Sequence, residues 1–278
     1  KILVTGATGF VGKTLLPLLV QKGHEIIVLS RDIKSAQVRL PVACKIIEWD
    51  PAKTLTHLEN DIDIVINLYG ENVADGRWNL KKKQTIYNSR IIATRNLIAY
   101  FQKNSHSIKT WISASAIGIY KNHIASDESA PIGEEFIPQV CKDWEEETFK
   151  ARDLNIRTIA FRIGLVLGFD GGAMEKLLPV FKLGLGGNIS SGKQWMSWIH
   201  VRDLAGLIIE AIDKPSYEGP INAVSPNPVT NLEFTSTLAG ILKRPAFFRV
   251  PGWILKLLLG KMSLLLINSQ KVSSDLAK

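Results

Sequence analysis

Three glycines, Gly6, Gly9 and Gly12, lie between an apolar run at residues 2–4 and a helical pattern at residues 10–20. Gly6 permits a tight turn, Gly9 lets a ligand approach the backbone, and Gly12 lets the helix pack closely on the strand. The free N–H groups at the start of such a helix attract an anion. Although the spacing is Gly-x-x-Gly-x-x-Gly rather than Gly-x-Gly-x-x-Gly, we predict a turn that binds the pyrophosphate of a dinucleotide. The alternative is a tight turn without a ligand.

Strand and helix patterns alternate through the first 160 residues. Five further apolar runs predict strands, at residues 25–29, 45–47, 62–68, 110–113 and 157–162. Two long periodic segments predict single helices, at residues 78–101 and 136–154. Nearly continuous apolar strands separated by helices indicate a parallel sheet covered on both faces. The sequence therefore predicts an α/β fold, a Rossmann-type doubly wound parallel sheet with a smaller C-terminal α/β lobe.

The chain becomes rich in glycine after Arg162, which suggests a domain boundary. We predict a dinucleotide-binding Rossmann domain at residues 1–163, to which part of residues 200–225 returns. Residues 164–278 form the predicted substrate-binding C-terminal lobe. Ligands of open parallel sheets bind at the carboxyl ends of the strands, where this lobe is expected to pack.

The second predicted strand ends in Ser30, Arg31 and Asp32. An acidic residue at the strand tip would bind a ribose 2′-hydroxyl and favour NAD. Position 31 instead carries an arginine, whose planar guanidinium can pair with a 2′-phosphate. We therefore predict NADP(H) as the cofactor, with NAD less favoured. The alternative is a surface Arg31 that pairs with Asp32.

Charge and cysteine content restrict the partners. The net charge of +8 permits nucleic-acid binding, but the lysines are scattered, and the densest run, at residues 81–83, fits a solvated helix face. Cys44 and Cys141 are far apart, and the histidines are isolated, so we predict no disulfide framework and no metal site. The most apolar stretch, residues 253–267, is too short and too charged to span a bilayer. We expect a cytoplasmic protein with a small-molecule substrate and without nucleic-acid or membrane partners. These features predict nothing about its oligomeric state.

Several segments resemble the extended short-chain dehydrogenase/reductases of the NAD-dependent epimerase/dehydratase superfamily. The glycine turn carries the general resemblance. Along essentially its whole length, the chain resembles an atypical subgroup, the YfcH/SDR39U1-like "epimerase family" proteins. The segments that carry this resemblance are residues 67–72, 77–79, 89–94, 113–120, 141–145, 197–203 and 250–276. Because members of this subgroup bind NADP(H), the resemblance implies an NADP(H)-binding oxidoreductase or epimerase-type enzyme.

The resemblance also implies cofactor contacts at matching positions. Thr8, Phe10 and Val11 would wrap the pyrophosphate, while Ser30 and Arg31 would hold the 2′-phosphate. The remaining implied contacts line the same cleft: Leu68 and Tyr69 near the adenosine and linking phosphates, Arg90 on the phosphate side, Ser113 in the fifth strand, and Trp198 and His200 in the substrate cleft.

The catalytic pair of the superfamily is missing. That pair is Tyr-x-x-x-Lys on the helix after the fifth strand, where the lysine lowers the pKa of the phenol for acid–base work. No tyrosine in this chain has a lysine four residues later. Ser115 and Tyr120 are the predicted catalytic replacements, and their alternatives are a turn serine and a pocket-wall aromatic residue. Cys141 is expected to be a buried apolar residue. The rival function is a non-catalytic NADP(H) sensor.

Overall fold

The computed structural model describes residues 1–277, which form fifteen strands and ten α-helices. In chain order the strands are β1 (Ile2–Thr5), β2 (Ile26–Ser30), β3 (Lys45–Glu48), β4 (Ile64–Asn67), β5 (Thr110–Ala116), β6 (Ala125–Ser126), β7 (Arg157–Ile163), β8 (Leu165–Leu167), β9 (Gly187–Ile189), β10 (Trp195–Met196), β11 (Trp198–His200), β12 (Gly219–Ala223), β13 (Val229–Thr230), β14 (Phe248–Val250) and β15 (Lys271–Val272). The helices are α1 (Phe10–Gln21), α2 (Ile33–Arg39), α3 (Leu80–Asn88), α4 (Ile91–Lys103), α5 (Phe136–Phe149), α6 (Gly172–Lys182), α7 (Val201–Asp213), α8 (Asn231–Leu242), α9 (Gly252–Leu259) and α10 (Leu264–Ile267).

The central sheet has seven parallel strands in the order β12-β7-β5-β4-β1-β2-β3. The order reverses beside β1, and in open parallel sheets ligands bind at such a switch point. The predicted Rossmann-type doubly wound α/β fold is therefore confirmed. The outermost strand, β12, lies within residues 200–225 and pairs with β7.

Both faces of the sheet are covered, which explains why its strands are almost uniformly apolar. Successive side chains of a strand point to opposite faces. Ile2 and Val4 of β1 pack in one buried cluster with residues of α1 and α7. Leu3, between them, packs in a second cluster with Trp111 and the α4 residue Leu97. One strand thus contributes to two cores.

The predicted single helix at residues 78–101 is wrong, because the structure has two helices there, α3 and α4. The break falls at Ser89 and Arg90. The Ser89 hydroxyl donates to the carbonyl of Ile86 and accepts the backbone N–H of Glu71, which ties the end of α3 to the loop after β4. A serine that binds the backbone in this way competes with helix continuation. The predicted helix at residues 136–154 likewise ends earlier, and a 3₁₀ turn follows it.

Short two-stranded sheets and four helices form the smaller C-terminal lobe. β8 pairs with β11, β9 with β14 and β10 with β13, whereas β15 pairs with β6 from the N-terminal part of the chain. Thr230 caps α8 in a reciprocal capping box with Glu233. Asn231, the first residue of the helix, accepts the backbone N–H of Ile189 through its side chain. The proposed boundary between residues 1–163 and 164–278 stays a prediction.

Within residues 1–277, no helix has the length and apolar character needed to cross a membrane.

Candidate functional site

The glycine turn connects β1 to α1 at the carboxyl edge of the sheet, and two of its three glycines leave no room for a side chain. Gly6 has a φ of +68°, and a Cβ there would lie 2.6 Å from the backbone of Leu68. A Cβ on Gly12 would lie 2.4 Å from the carbonyl oxygen of Ala7. Gly9 is exposed and offers no side chain to cap α1. The first turn of the helix is thus open to an anion, as a pyrophosphate requires.

The side chains beside this turn have distinct places. Thr8 lies next to the exposed Gly9, and its carbonyl accepts a hydrogen bond from Arg39. The Phe10 ring packs under the glycines of residues 168–172, so that a Cβ on Gly171 would lie 2.6 Å from it. Val11 packs against the buried cluster below. The turn is therefore fixed from beneath, and its backbone faces outward.

A cationic cleft of about 120 Å³ lies between the turn and the end of β2. Ser30, Arg31 and Arg39 are among its lining residues. Within residues 1–277, neither arginine forms an ion pair with a carboxylate; Arg39 donates to the Thr8 carbonyl at 3.2 Å. Asp32 instead caps α2 by accepting the Ser35 N–H. The structure therefore does not contain the alternative arrangement, in which Asp32 pairs with Arg31.

An aromatic pair closes the other side of this cleft. Tyr69 and Trp49 line it and contact each other edge to face, with ring centroids 5.8 Å apart. The Arg31 guanidinium lies 5.8 Å from the centroid of the Tyr69 ring. Burial raises the pKa of the Tyr69 phenol, so it is neutral at ordinary pH. Leu68, the preceding residue, is half-buried and contributes to the main core.

Arg90 lies farther along the same edge, beneath the loop that follows β4. Its guanidinium donates to the carbonyls of Ile86 and Glu71 at 3.2 and 3.0 Å and lies over the Trp144 ring. Burial lowers the pKa of Arg90. It forms no ion pair with a carboxylate within residues 1–277. A buried cation without an anionic partner is costly, and a phosphate would supply one.

Ser113 belongs to a polar network inside the sheet. Its hydroxyl accepts hydrogen bonds from Asn67, at 3.4 Å, and Thr148, at 3.3 Å. Asn67 also accepts from Thr5 and donates to Thr94. Since Ser113 is fully buried, the structure places it below the cleft floor, where it links β4, β5 and α5.

The two predicted catalytic hydroxyls meet in a second buried network, which we call the Glu145–Arg162 network. Arg162 of β7 binds both carboxylate oxygens of Glu145 of α5, at 2.9 and 2.8 Å. Ser115 donates its hydroxyl to the same carboxylate at 2.6 Å. Burial acts to lower the pKa of Arg162, but its hydrogen bonds to Glu145 prevail and raise it, so the guanidinium stays charged. Ser115 is therefore held with its proton directed at Glu145.

Tyr120 is the other end of the Glu145–Arg162 network. Its hydroxyl donates to Asn222 at 2.6 Å and accepts from Arg162 at 3.0 Å. The side chain is almost completely enclosed, with 1% of the residue exposed. Burial raises the pKa of the phenol, whereas Arg162 acts in the opposite direction. The nearby cation thus does not make Tyr120 an acid of near-neutral pKa.

Glu145 and Arg162 were missed from the sequence, although each left a signal there. Arg162 stands between Phe161 and Ile163 in a strand expected to be buried on both faces, where a charge needs a partner. Glu145 is four residues after Cys141, so the two share one face of α5. Burial raises the pKa of the Cys141 thiol to about 12, which leaves it protonated and unreactive.

His200 and Trp198 lie where β11 leads into α7. His200 caps α7, because its Nδ1 accepts the N–H of Arg202 at 3.3 Å. Asp203 lies in the first turn of the helix. The Trp198 indole donates to the carbonyl of Asn227 at 3.1 Å. α7 packs on α1, the helix that follows the glycine turn. Within residues 1–277, no cluster of three or more His, Cys, Asp or Glu side chains could hold a metal ion.

The sheet is parallel with a strand order that reverses beside β1, a glycine turn follows β1, and a cationic cleft lies beside that turn. These features define a nucleotide-binding protein of the Rossmann class. A model of the NAD dependent epimerase/dehydratase family matches residues 2–223. The chain belongs to that family, and within it to the atypical short-chain dehydrogenase/reductases of the SDR39U1 type.

Individual relatives align with this chain along almost its entire length. "Epimerase family protein YfhF" of Bacillus subtilis is 37% identical over 98% of this chain and 89% of its own length. "Epimerase family protein SDR39U1 homolog, chloroplastic" of Arabidopsis thaliana is 36% identical over 99% of this chain and 80% of its own. The crystal structure of human epimerase family protein SDR39U1 (isoform 2) with NADPH superposes with a TM-score of 0.87 and 32% identity. That alignment covers 99% of this chain and 92% of the human one.

Proposed function

We propose that this protein binds NADP(H) at the glycine turn and uses it as an oxidoreductase or epimerase-type enzyme on a small polar substrate. The observation that carries the cofactor assignment is the cleft beside an uncapped helix N-terminus. Within residues 1–277, its Arg31 and Arg39 form no ion pair, and the carboxylate of Asp32, which also lines the cleft, caps α2. The human SDR39U1 structure was solved with NADPH, which supports the same assignment here.

The chain's own residues would divide the cofactor between them. The backbone of Thr8, Phe10 and Val11 would bind the pyrophosphate at the N-terminus of α1. Ser30 and Arg31 would bind the 2′-phosphate, and we add Arg39, because it lines the same cleft. Tyr69, which lines this cleft, and Leu68 beside it are proposed contacts too, and Arg90 lies farther along the sheet edge. Ser113, the remaining residue that the resemblance implied, is fully buried and would support the site from below. When bound, the nicotinamide would supply or accept a hydride.

Discrimination between NADPH and NADH gives the first prediction. In Arg31→Ala, affinity for NADPH should fall by about 10–100-fold, because a charge-assisted hydrogen bond contributes about 1.5–3 kcal/mol. Affinity for NADH, which lacks the 2′-phosphate, should change little. Arg39→Ala should behave in the same way, and Arg244→Ala, an exposed arginine of the C-terminal lobe, is the matched control. Fluorescence titration of the reduced nicotinamide measures each affinity. Equal losses for both nucleotides in Arg31→Ala would contradict the assignment.

Catalysis is proposed to involve Ser115 and Tyr120, with His200 and Trp198 lining the substrate cleft. Both hydroxyls are engaged in the Glu145–Arg162 network. Because Ser115 donates to Glu145, the lone pairs of its oxygen are the part it can offer to a substrate hydroxyl. In Ser115→Ala, substrate-dependent NADPH oxidation should fall while NADPH affinity is retained. Full turnover in both Ser115→Ala and Tyr120→Phe would overturn these roles.

The Glu145–Arg162 network also favours a second candidate, a non-catalytic NADP(H) sensor. Cys141 and Glu145 stand at i and i+4 on α5, the spacing of a Tyr-x-x-x-Lys pair. Cys141 is a protonated thiol and the Glu145 carboxylate is paired with Arg162, so neither replaces the acidic phenol of that pair. A sensor would bind NADPH and NADP⁺ with different affinities and change conformation without turnover. Substrate-dependent oxidation of NADPH by the wild-type protein, in a screen of small carbonyl compounds and sugars, would exclude it.

We further propose a cytoplasmic location, as the two free cysteines suggest. The name of the Arabidopsis relative assigns that protein to the chloroplast.

A further inference from the structure

The C-terminal lobe exposes an unusual number of large apolar side chains in one short segment. Between residues 247 and 266, seven are exposed: Phe247, Phe248, Trp253, Leu257, Leu258, Leu265 and Leu266. No residue of α9 is buried, although six of its eight residues are Trp, Ile or Leu. Single exposed apolar residues are common, but a concentration of this kind marks an interaction surface.

The charge of the same segment has one sign. Arg249, Lys256 and Lys261 are its charged residues, and no Asp or Glu occurs between Glu233 and Asp275. Within residues 1–277, none of these three cations forms an ion pair with a carboxylate. We call the seven apolar side chains and these three cations the apolar-basic surface. Its complement must be apolar and anionic.

The arrangement on α9 mixes the two kinds of side chain on one face. Trp253, Lys256 and Leu257 follow each other at i, i+3 and i+4, so they share a side of the helix, and all three are exposed. Tryptophan, leucine and lysine are the residue types found in helices that lie in a membrane interface, and here the lysine stands beside the apolar side chains. The flexible lysine stem lets the ammonium group reach the headgroups while the rings and leucines enter the acyl boundary.

The helix is already formed and attached to the Rossmann-type sheet. Arg77, in the loop before α3, donates to the carbonyl of Leu258 at 2.8 Å and also to that of Leu257. These bonds occupy carbonyl groups at the end of α9 that would otherwise lack intrahelical partners. Binding of a partner to α9 therefore does not require the helix to fold at the same time, and this removes an entropic cost of binding.

A second copy of this chain is a poorer occupant. A twofold interface would place the same patch on both sides, so Lys256 and Lys261 of one subunit would face the same cations of the other. No acidic residue in the segment could neutralise them. A bilayer that contains anionic phospholipid satisfies both the apolar and the positively charged groups.

We propose that the apolar-basic surface binds peripherally to anionic phospholipid membranes. This differs from the expectation that the chain has no membrane partner, because the sequence shows apolar residues at 253–267 but does not show that they are exposed. The absence of a membrane-spanning helix is compatible with binding at the surface.

The test is co-sedimentation of the full chain with vesicles of phosphatidylcholine alone and with added phosphatidylserine. We expect binding to the mixed vesicles and little to the neutral ones. Lys256→Gln combined with Lys261→Gln should lower the partition coefficient by roughly 25-fold, since each lysine contributes about a fivefold factor at an anionic surface. Trp253→Ser combined with Leu257→Ser should abolish binding even at low salt.

Matched controls keep the outcome interpretable. Lys22→Gln with Lys103→Gln removes two exposed cations from the ends of α1 and α4, and Val38→Ser removes an apolar side chain that is 88% exposed on α2. Both should bind vesicles like the wild type, and circular dichroism melting should show every variant folded. Equal binding to neutral and anionic vesicles, or no binding to either, would overturn the proposal. A stable dimer that Trp253→Ser with Leu257→Ser dissociates would also overturn it, because the surface would then join two copies.

Discussion

Replacing Arg162 with alanine is expected to lower the free energy of unfolding by about 3–5 kcal/mol, because it leaves a buried carboxylate without its partner. Glu145 and Arg162 are both almost fully enclosed, and their two hydrogen bonds are 2.9 and 2.8 Å long. Tyr120 loses a donor in the same variant. Urea denaturation followed by circular dichroism measures the change.

The control for this variant is an exposed ion pair. Lys176 and Asp75 lie 2.7 Å apart with both side chains more than half exposed, so Lys176→Ala should cost about 0–1 kcal/mol. Arg162→Met combined with Glu145→Leu should be less damaging than Arg162→Ala, because no unpaired charge remains. If Arg162→Ala were as stable as Lys176→Ala, the Glu145–Arg162 network would not be the buried ion pair described here.

Gly12→Ala should have the second large effect, on both stability and cofactor binding. Its Cβ would lie 2.4 Å from the Ala7 carbonyl oxygen and 2.6 Å from the Ala7 Cα, both of which are backbone atoms. The start of α1 must then move away from β1. We expect a loss of about 1–3 kcal/mol in unfolding free energy from overpacking. We also expect at least roughly tenfold weaker NADPH binding, which corresponds to about 1.4 kcal/mol.

Gly206→Ala is the matched control, because it is the same substitution in open space. Gly206 is exposed inside α7, and a Cβ there meets nothing within 4 Å. Alanine in a helix interior is favoured over glycine by about 0.5–1 kcal/mol, so this variant should be slightly more stable and bind NADPH normally. A Gly12→Ala protein that melts and binds like Gly206→Ala would contradict the close-packed turn.

The strands and helices that follow local patterns could be predicted from the sequence, because such patterns depend on neighbouring residues. The strand–glycine–helix start and the continuous apolar strands predicted the Rossmann-type sheet, which the structure confirms. The break between α3 and α4 was not readable, since it depends on a bond between the Ser89 hydroxyl and Glu71, eighteen positions away in sequence. Long-range hydrogen bonds of this kind override helix propensity.

In the candidate site, too, the residues that follow a local pattern could be predicted and those brought in by the fold could not. Ser30 and Arg31 follow directly from the end of a predicted strand, and both line the cleft. Arg39 is on the next helix and reaches the cleft only through the fold. The partners of Ser115 and Tyr120 are distant as well, because Glu145 and Arg162 come from α5 and β7. Residue type suggested the two hydroxyls as catalytic groups, whereas only the structure shows what each one binds.

The central claim, that the cleft beside the glycine turn holds NADP(H), is tested most directly by calorimetric titration of the wild-type protein with NADPH and NADH. The account predicts one site per chain, with NADPH bound at least roughly tenfold more tightly than NADH because a 2′-phosphate meets Arg31 and Arg39. The preference should shrink as salt rises, since these arginines are at the surface. Failure to bind either nucleotide, or equal affinity for both, would contradict it.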